Sequence, residues 1–109
     1  MSSQEAEKLY GRRLRQARKS YGFSQPELGV AAGLDYSGAG VTISRYENGR
    51  HQARPGLHKR LARVLALPLT YFFTEDDEEA ASIAAAARSD EPAKRKADAE
   101  AIIAKMKRM

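Results

Sequence analysis

The stretch SQPELGVAAGLDYSGAGVTISRYENG, Ser24 to Gly49, decides how this chain is read. It opens with a helix start: Ser24-Gln25-Pro26-Glu27 has the form of a capping box, with Ser24 as N-cap and Glu27 reaching back. Pro26 falls in the first turn, where its missing N–H costs nothing. Leu28, Ala31 and Ala32 supply a small-residue inner face, and Gly33 ends the helix. A second helical pattern, Val41-Thr42-Ile43-Ser44-Arg45-Tyr46-Glu47, closes on Asn48-Gly49. Between the two lie Gly38 and Gly40, where the second helix should be starting.

The surrounding sequence is also helical, with no alternation of strand type. A first helix is expected over roughly Glu5 to Ser20. Leu9, Leu14 and Ala17, with Tyr10 and Tyr21, form its apolar face. Arg12, Arg13, Arg15, Arg18 and Lys19 fall mostly on its other faces, and Gly22 ends it. A fourth helix follows Pro55 and runs to about Ala66, with Leu57, Leu61, Val64 and Leu65 at i, i+4, i+7 and i+8. A fifth, short helical turn starts near Pro68, with Leu69, Phe72 and Phe73 expected inward. Short loops favour a compact five-helix, all-α domain over residues 5–73.

Composition changes at Thr74. Glu75 to Glu79 form an acidic run, suited to a first helical turn. An alanine-rich segment follows, Ser89-Asp90-Glu91-Pro92 breaks or restarts the helix, and a charged helical pattern runs from Lys94 to Met109. Its large apolar groups are Ile102, Ile103, Met106 and Met109. Residues 74–109 thus read as a charged, helical or partly disordered tail that docks on the domain or pairs with a partner.

The chain has 109 residues and a net charge of +5, unevenly placed. Residues 1–73 hold 12 Lys/Arg against 5 Asp/Glu, net +7; residues 74–109 hold 7 against 9, net −2. A basic domain with a mildly acidic tail suits a polyanion partner. With no cysteine, disulfides and thiolate metal sites are excluded. No apolar run approaches a membrane span and no signal pattern opens the chain, so a soluble, cytoplasmic protein is expected. No Ser/His/Asp arrangement, metal-ligand cluster or phosphate loop is present, so neither catalysis nor a cofactor or metal is expected.

Two helices joined by a short turn, the second polar and basic, make a helix-turn-helix pattern. Three runs then resemble the Cro/lambda-repressor-like (XRE) family of DNA-binding domains. They are Leu14-Arg15-x-x-Arg18-Lys19-x-x-Gly22-Phe23-Ser24-Gln25-x-Glu27-Leu28-x-x-x-Ala32-Gly33-Leu34, Thr42 to Arg50, and Leu61-Ala62-x-x-Leu65-Ala66-Leu67-Pro68. The resemblance covers roughly Leu9 to Phe73 and implies a lambda-repressor-like fold whose third helix enters the major groove of double-stranded DNA. Gln25 is positioned to donate to a phosphate beside the free N–H groups of its helix. Ile43 and Tyr46 point inward with Leu28 and Leu61; Thr42, Ser44 and Arg45 then face out, Arg45 toward a base or a phosphate. Asn48, Arg50 and Arg54, with Gln52, suit phosphate clamping in the loop that the family brings to the DNA backbone. Arg18 and Glu47 match positions that form a largely buried ion pair in related repressors, which makes Arg18 structural.

The segment Asp35 to Val41 departs from the family by about four extra residues. Four residues are roughly 1.1 helical turns, about 40° out of phase, so an extra N-terminal turn leaves the faces in place. Asp35 or Ser37 is then the N-cap. A helix starting near Ser37 is favoured over an irregular loop, although Gly38 and Gly40 each cost it about 1 kcal/mol. Either way Tyr36, Ser37 and Ala39 become candidate groove contacts. The expected function is a sequence-specific transcriptional regulator, in the family's manner a repressor, acting as a homodimer on a two-fold-related site. The alternative is an antitoxin-like or bridging module that takes a protein partner through residues 74–109.

Overall fold

In the computed structural model, which describes residues 2–88 and 92–108 (without the side chains of 92–96, 99 and 106), each stop signal of the first half falls where the sequence puts it. Helix α1 spans Ser3–Tyr21, capped by the Ser2 side chain on the Glu5 N–H and ended by Gly22 in the left-handed conformation. Helix α2 spans Gln25–Ala31, and both bonds of the Ser24/Glu27 capping box are present. Helix α3 spans Tyr36–Glu47 with Asp35 as N-cap, one residue earlier than the favoured start. Both glycines of the extra turn therefore lie inside a regular helix. Helix α4 spans Pro55–Val64, shorter than expected because Ala66 turns to positive φ and ends it. A 3-10 turn, Leu69–Phe73, follows. Then come α5, Asp77–Ala87, and α6, Pro92–Lys107. The described residues are all helix, turn and loop, with no strand.

The core gathers Leu14, Phe23, Leu28, Ile43, Leu61, Leu65 and Phe72 from α1 to the 3-10 turn. Close approach sets how α3 sits in it. A Cβ on Gly11 would fall 2.6 Å from the Glu47 carbonyl oxygen and closer still to that of Tyr46, so α1 and the end of α3 touch backbone to side. A Cβ on Gly29 would fall 2.7 Å from the Cβ of Ala39, which fits α2 against the new first turn of α3.

Three inside–outside expectations are corrected. Arg13 is not on an outer face of α1; it is 1% exposed. It shares the i, i+3, i+4, i+7 stripe of Tyr10, Leu14 and Ala17. Its guanidinium is satisfied there by the carbonyls of Thr74 and Glu75 (2.7–3.0 Å), by Asp77 at 2.8 Å and by Gln16 at 2.9 Å. Leu69 and Phe73 are not inward but substantially exposed, while Tyr71 and Phe72 fill the core from the 3-10 turn. Phe73 still lies 5.8 Å from Tyr10 and 5.7 Å from His58, ring to ring, as one wall of an aromatic cluster. Ala39, offered to the groove by its sequence position, is fully buried because it lies four residues before Ile43 on the same face.

Residues past Thr74 pack on the domain. Arg13 and Asp77 hold the start of α5. At its other end Arg88 reaches the Leu65 carbonyl at 2.8 Å and the Ser20 hydroxyl at 2.7 Å. Ala80 is buried and Ile83 packs beside it. Ile102 and Ile103 bring α6 onto the core, with Asp98 and Ile102 beside Tyr21, Phe23 and Val64. The expected break at Ser89-Asp90-Glu91 and the side chains of Met106 and Met109 lie outside the described residues.

Candidate nucleic-acid interface

An α-helix turns about 100° per residue, which sorts α3 into two faces. Ala39 and Ile43, both fully buried, mark the inner one, with Tyr46 and Glu47 beside them. Ser37, Val41, Ser44, Arg45 and Asn48 fall within about 60° of the direction opposite Ala39, and form one outward stripe. The asparagine is tied into it, Nδ2 donating to the Ser44 hydroxyl at 3.3 Å.

Arg45 stands between two shallow concavities. One is lined by Gln25, Gly40, Val41, Ser44, Arg45, Asn48 and Arg50. The other is lined by Thr42, Arg45, Tyr46, His51, Gln52 and Arg54. Seven of the nine expected contact residues, Gln25, Thr42, Ser44, Arg45, Asn48, Arg50 and Arg54, thus line one continuous surface. Three arginines, Arg45, Arg50 and Arg54, are exposed on it. Neither concavity is a closed, apolar pocket suited to a small organic ligand.

Two expected residues stand apart. Ser37 lies on the outward stripe but binds Asp35 through both its backbone N–H and its hydroxyl. Those bonds hold the Asp35 carboxyl below its ordinary pKa, so a negative charge is fixed at the start of α3. Tyr36 is exposed, yet it points about 140° around the helix from Val41. Its exposure comes from its place at the helix start, not from sharing the Arg45 face.

Beneath the surface, Arg18 and Glu47 form a two-point ion pair, Nε to Oε2 at 2.6 Å and Nη2 to Oε1 at 3.1 Å. The side chains are 12% and 3% exposed. The remaining Nη1 donates to the Phe23 carbonyl at 2.8 Å, joining α1, α3 and the lead into α2. Gln25 joins the same group, its Nε2 donating to Glu47 Oε1 at 3.2 Å. A primary amide has two N–H donors, so one remains for the concavity. The first turn of α2 offers fewer backbone donors than expected: Pro26 has none, and the Glu27 N–H is bonded to Ser24.

Val41 escaped the sequence reading. It is 57% exposed at the centre of the outward stripe. An apolar residue beside Ile43 reads as core unless the helix phase across Gly38 and Gly40 is known. Among the described residues no group of three or more His, Asp or Glu side chains could hold a metal ion, and no helix is long and apolar enough to cross a membrane.

Comparison with known proteins agrees with the all-helical fold. A family model of the helix-turn-helix domain matches residues 9–70. The crystal structure of transcriptional regulator BswR superposes with a TM-score of 0.67 at 35% sequence identity, covering 71% of this chain and 76% of that one. No curated protein matches the chain.

Proposed function

We propose a function from one premise: the chain belongs to the helix-turn-helix domain family. It is a DNA-binding transcriptional regulator that lays α3 in the major groove of double-stranded DNA. The observation that carries this reading is the shared surface of Gln25, Val41, Ser44, Arg45, Asn48 and Arg50. It combines a polar helix face of major-groove width with arginines at its margin. Arg45 reads base edges; Arg50, Arg54 and the free N–H of Gln25 hold phosphates on either side.

A single α3 reads only a few base pairs, so regulation at a defined site calls for two copies on a two-fold-related sequence. Half-sites would lie about 10 bp apart or a multiple of it. Repression by occupancy of such a site, by a protein that acts in the cytoplasm, is the mode this reading takes from the family resemblance.

The test is selection of bound fragments from random duplexes by the full chain, followed by titration at rising salt. A selected sequence with two-fold symmetry, bound with an affinity that falls steeply between low and moderate salt, supports the reading. Recovery of no enriched sequence, or an isotherm indifferent to salt, overturns it.

A further inference from the structure

The outward face of α3 carries one feature that phosphate clamping and hydrogen bonding leave unused. Val41 sits at its centre, 57% exposed, on a stripe otherwise made of Ser37, Ser44, Arg45 and Asn48. Its neighbours one turn away are small on three sides: Ser37 at i−4, Gly38 at i−3 and Ser44 at i+3. The fourth neighbour is Arg45 at i+4. The isopropyl group is thus the highest apolar point on a low patch of backbone.

Gly38 strengthens the point. Gly40 has a packing reason, since a Cβ there would meet Pro26 at 3.0 Å. Gly38 has none: a Cβ there would meet nothing within 4 Å. A glycine in a helix costs up to about 1 kcal/mol relative to alanine, and nothing in the fold requires this one in the first turn of α3. Its absent side chain leaves room for something outside the protein to come close to α3 next to Val41.

We propose that Val41 is a specificity-determining residue whose methyl groups pack on the C5-methyl of a pyrimidine in the major groove. This rests on the DNA-binding reading above. The pyrimidine methyl is the one apolar group that a base pair displays in the major groove. Four residues of helix span about 6 Å, and successive base pairs lie about 3.4 Å apart. The methyl therefore lies within two base pairs of the base read by Arg45. Thymine and 5-methylcytosine carry the same group, and the two are separated by the test.

The test uses the full chain and the tightest duplex selected from a random library. Each thymine is replaced in turn by deoxyuridine, which removes only the methyl. Each cytosine is replaced in turn by 5-methylcytosine, which adds it. At one position the change should alter wild-type affinity about fourfold, as expected for one buried methyl worth about 0.8 kcal/mol. The same change should leave Val41→Ala indifferent. Val41→Thr, which keeps the shape but exchanges a methyl for a hydroxyl, should respond weakly. The position should lie within two base pairs of the one at which Arg45→Ala relaxes base preference. A response only to deoxyuridine names thymine as the source, and a response only to 5-methylcytosine names the modified base. If no single methyl matters to the wild type, or Val41→Ala responds as the wild type does, the proposal is overturned. If the wild type enriches no duplex at low salt, the DNA-binding reading fails first and takes this inference with it.

Discussion

Gln25 Nε2 donates to Glu47 Oε1 at 3.2 Å, on the carboxylate that Arg18 already holds through two bonds. One buried group thus orients α3, anchors α1 and fixes the side chain proposed to meet a phosphate.

Glu47→Ala should therefore act on stability first. It leaves the Arg18 charge stranded in a site where its side chain is 12% exposed, at a cost of about 3–5 kcal/mol. Arg18→Met with Glu47→Leu should be more stable than either single variant, because no charge is left unpaired. Gln25→Ala should cost about 1 kcal/mol and weaken DNA binding equally for all sequences. Urea denaturation of the wild type, the double variant and the single variants Glu47→Ala, Arg18→Met, Glu47→Leu and Gln25→Ala checks the stabilities; a Glu47→Ala protein within about 1 kcal/mol of wild type would mean that the pair is effectively solvated.

Arg45 and Arg50 should separate into specificity and affinity. Arg45→Ala should lose about 1–3 kcal/mol of discrimination at one base position. Arg50→Ala and Arg54→Ala should weaken every duplex alike and reduce the salt slope by about 1 each. Binding to the selected duplex, its single-base variants and an unrelated duplex at several salt concentrations reads both effects. Equal loss of discrimination in all three variants would contradict the division.

Arg13→Ala should destabilise the protein by at least about 2 kcal/mol, since it leaves the Thr74 and Glu75 carbonyls without their buried donor. Arg13→Lys should recover only part, because an ammonium cannot reproduce the planar fork. Hydrogen exchange should show α5 opening before α3 in both variants. Uniform loss of protection across the chain would show that Arg13 does not act as the latch of α5.

Stability should fall in mild acid because of His58. The ring is buried against Tyr10, Phe72 and Phe73, its Nδ1 is 3.0 Å from the Tyr10 hydroxyl, and its Nε2 has no partner among the described residues. Burial holds its pKa below the ordinary 6.5. The unfolded chain then binds the proton more readily, so stability is full above that value and is lost as pH falls through it. Asp77 acts in a lower window: the Arg13 hydrogen bond lowers its pKa below 3.8, so its contribution persists above that value and disappears only in stronger acid. Melting temperatures from about pH 8 to pH 5 should fall for the wild type and stay flatter for His58→Gln. A flat wild-type profile would remove His58 from the account.

Gly38→Ala should raise stability by up to about 1 kcal/mol, because the new methyl enters open space in the first turn of α3. It should not tighten DNA binding, since it fills the approach beside Val41. A destabilised Gly38→Ala protein in chemical denaturation would show that this glycine has a role within the fold.

Local signals carried much of this far. The capping box at Ser24, the Gly22 and Gly33 stops, the i, i+4, i+7 pattern of α4 and the inward turn of Ile43 all lie within a few residues of their causes. The helix-turn-helix order could be read for the same reason, because its parts follow one another along the chain. The helix start at Asp35 could only be left open between neighbours, since two glycines weigh against a helix that Gly29 and Pro26 of α2 then support from outside the segment.

By itself the sequence determined the helical periodicities, the caps and the basic character of the domain, because those depend on neighbours within about a turn. Tertiary structure alone decided what depends on distant partners. The Arg13 guanidinium is buried because carbonyls 61 and 62 residues away converge on it; no local pattern announces a buried cation. The 22-residue span from Gln25 to Glu47 closes only when α2 packs on α3. Val41 turned outward, and Ala39 inward, only once that packing had set the rotation of a helix whose first turn has no precedent in the local pattern.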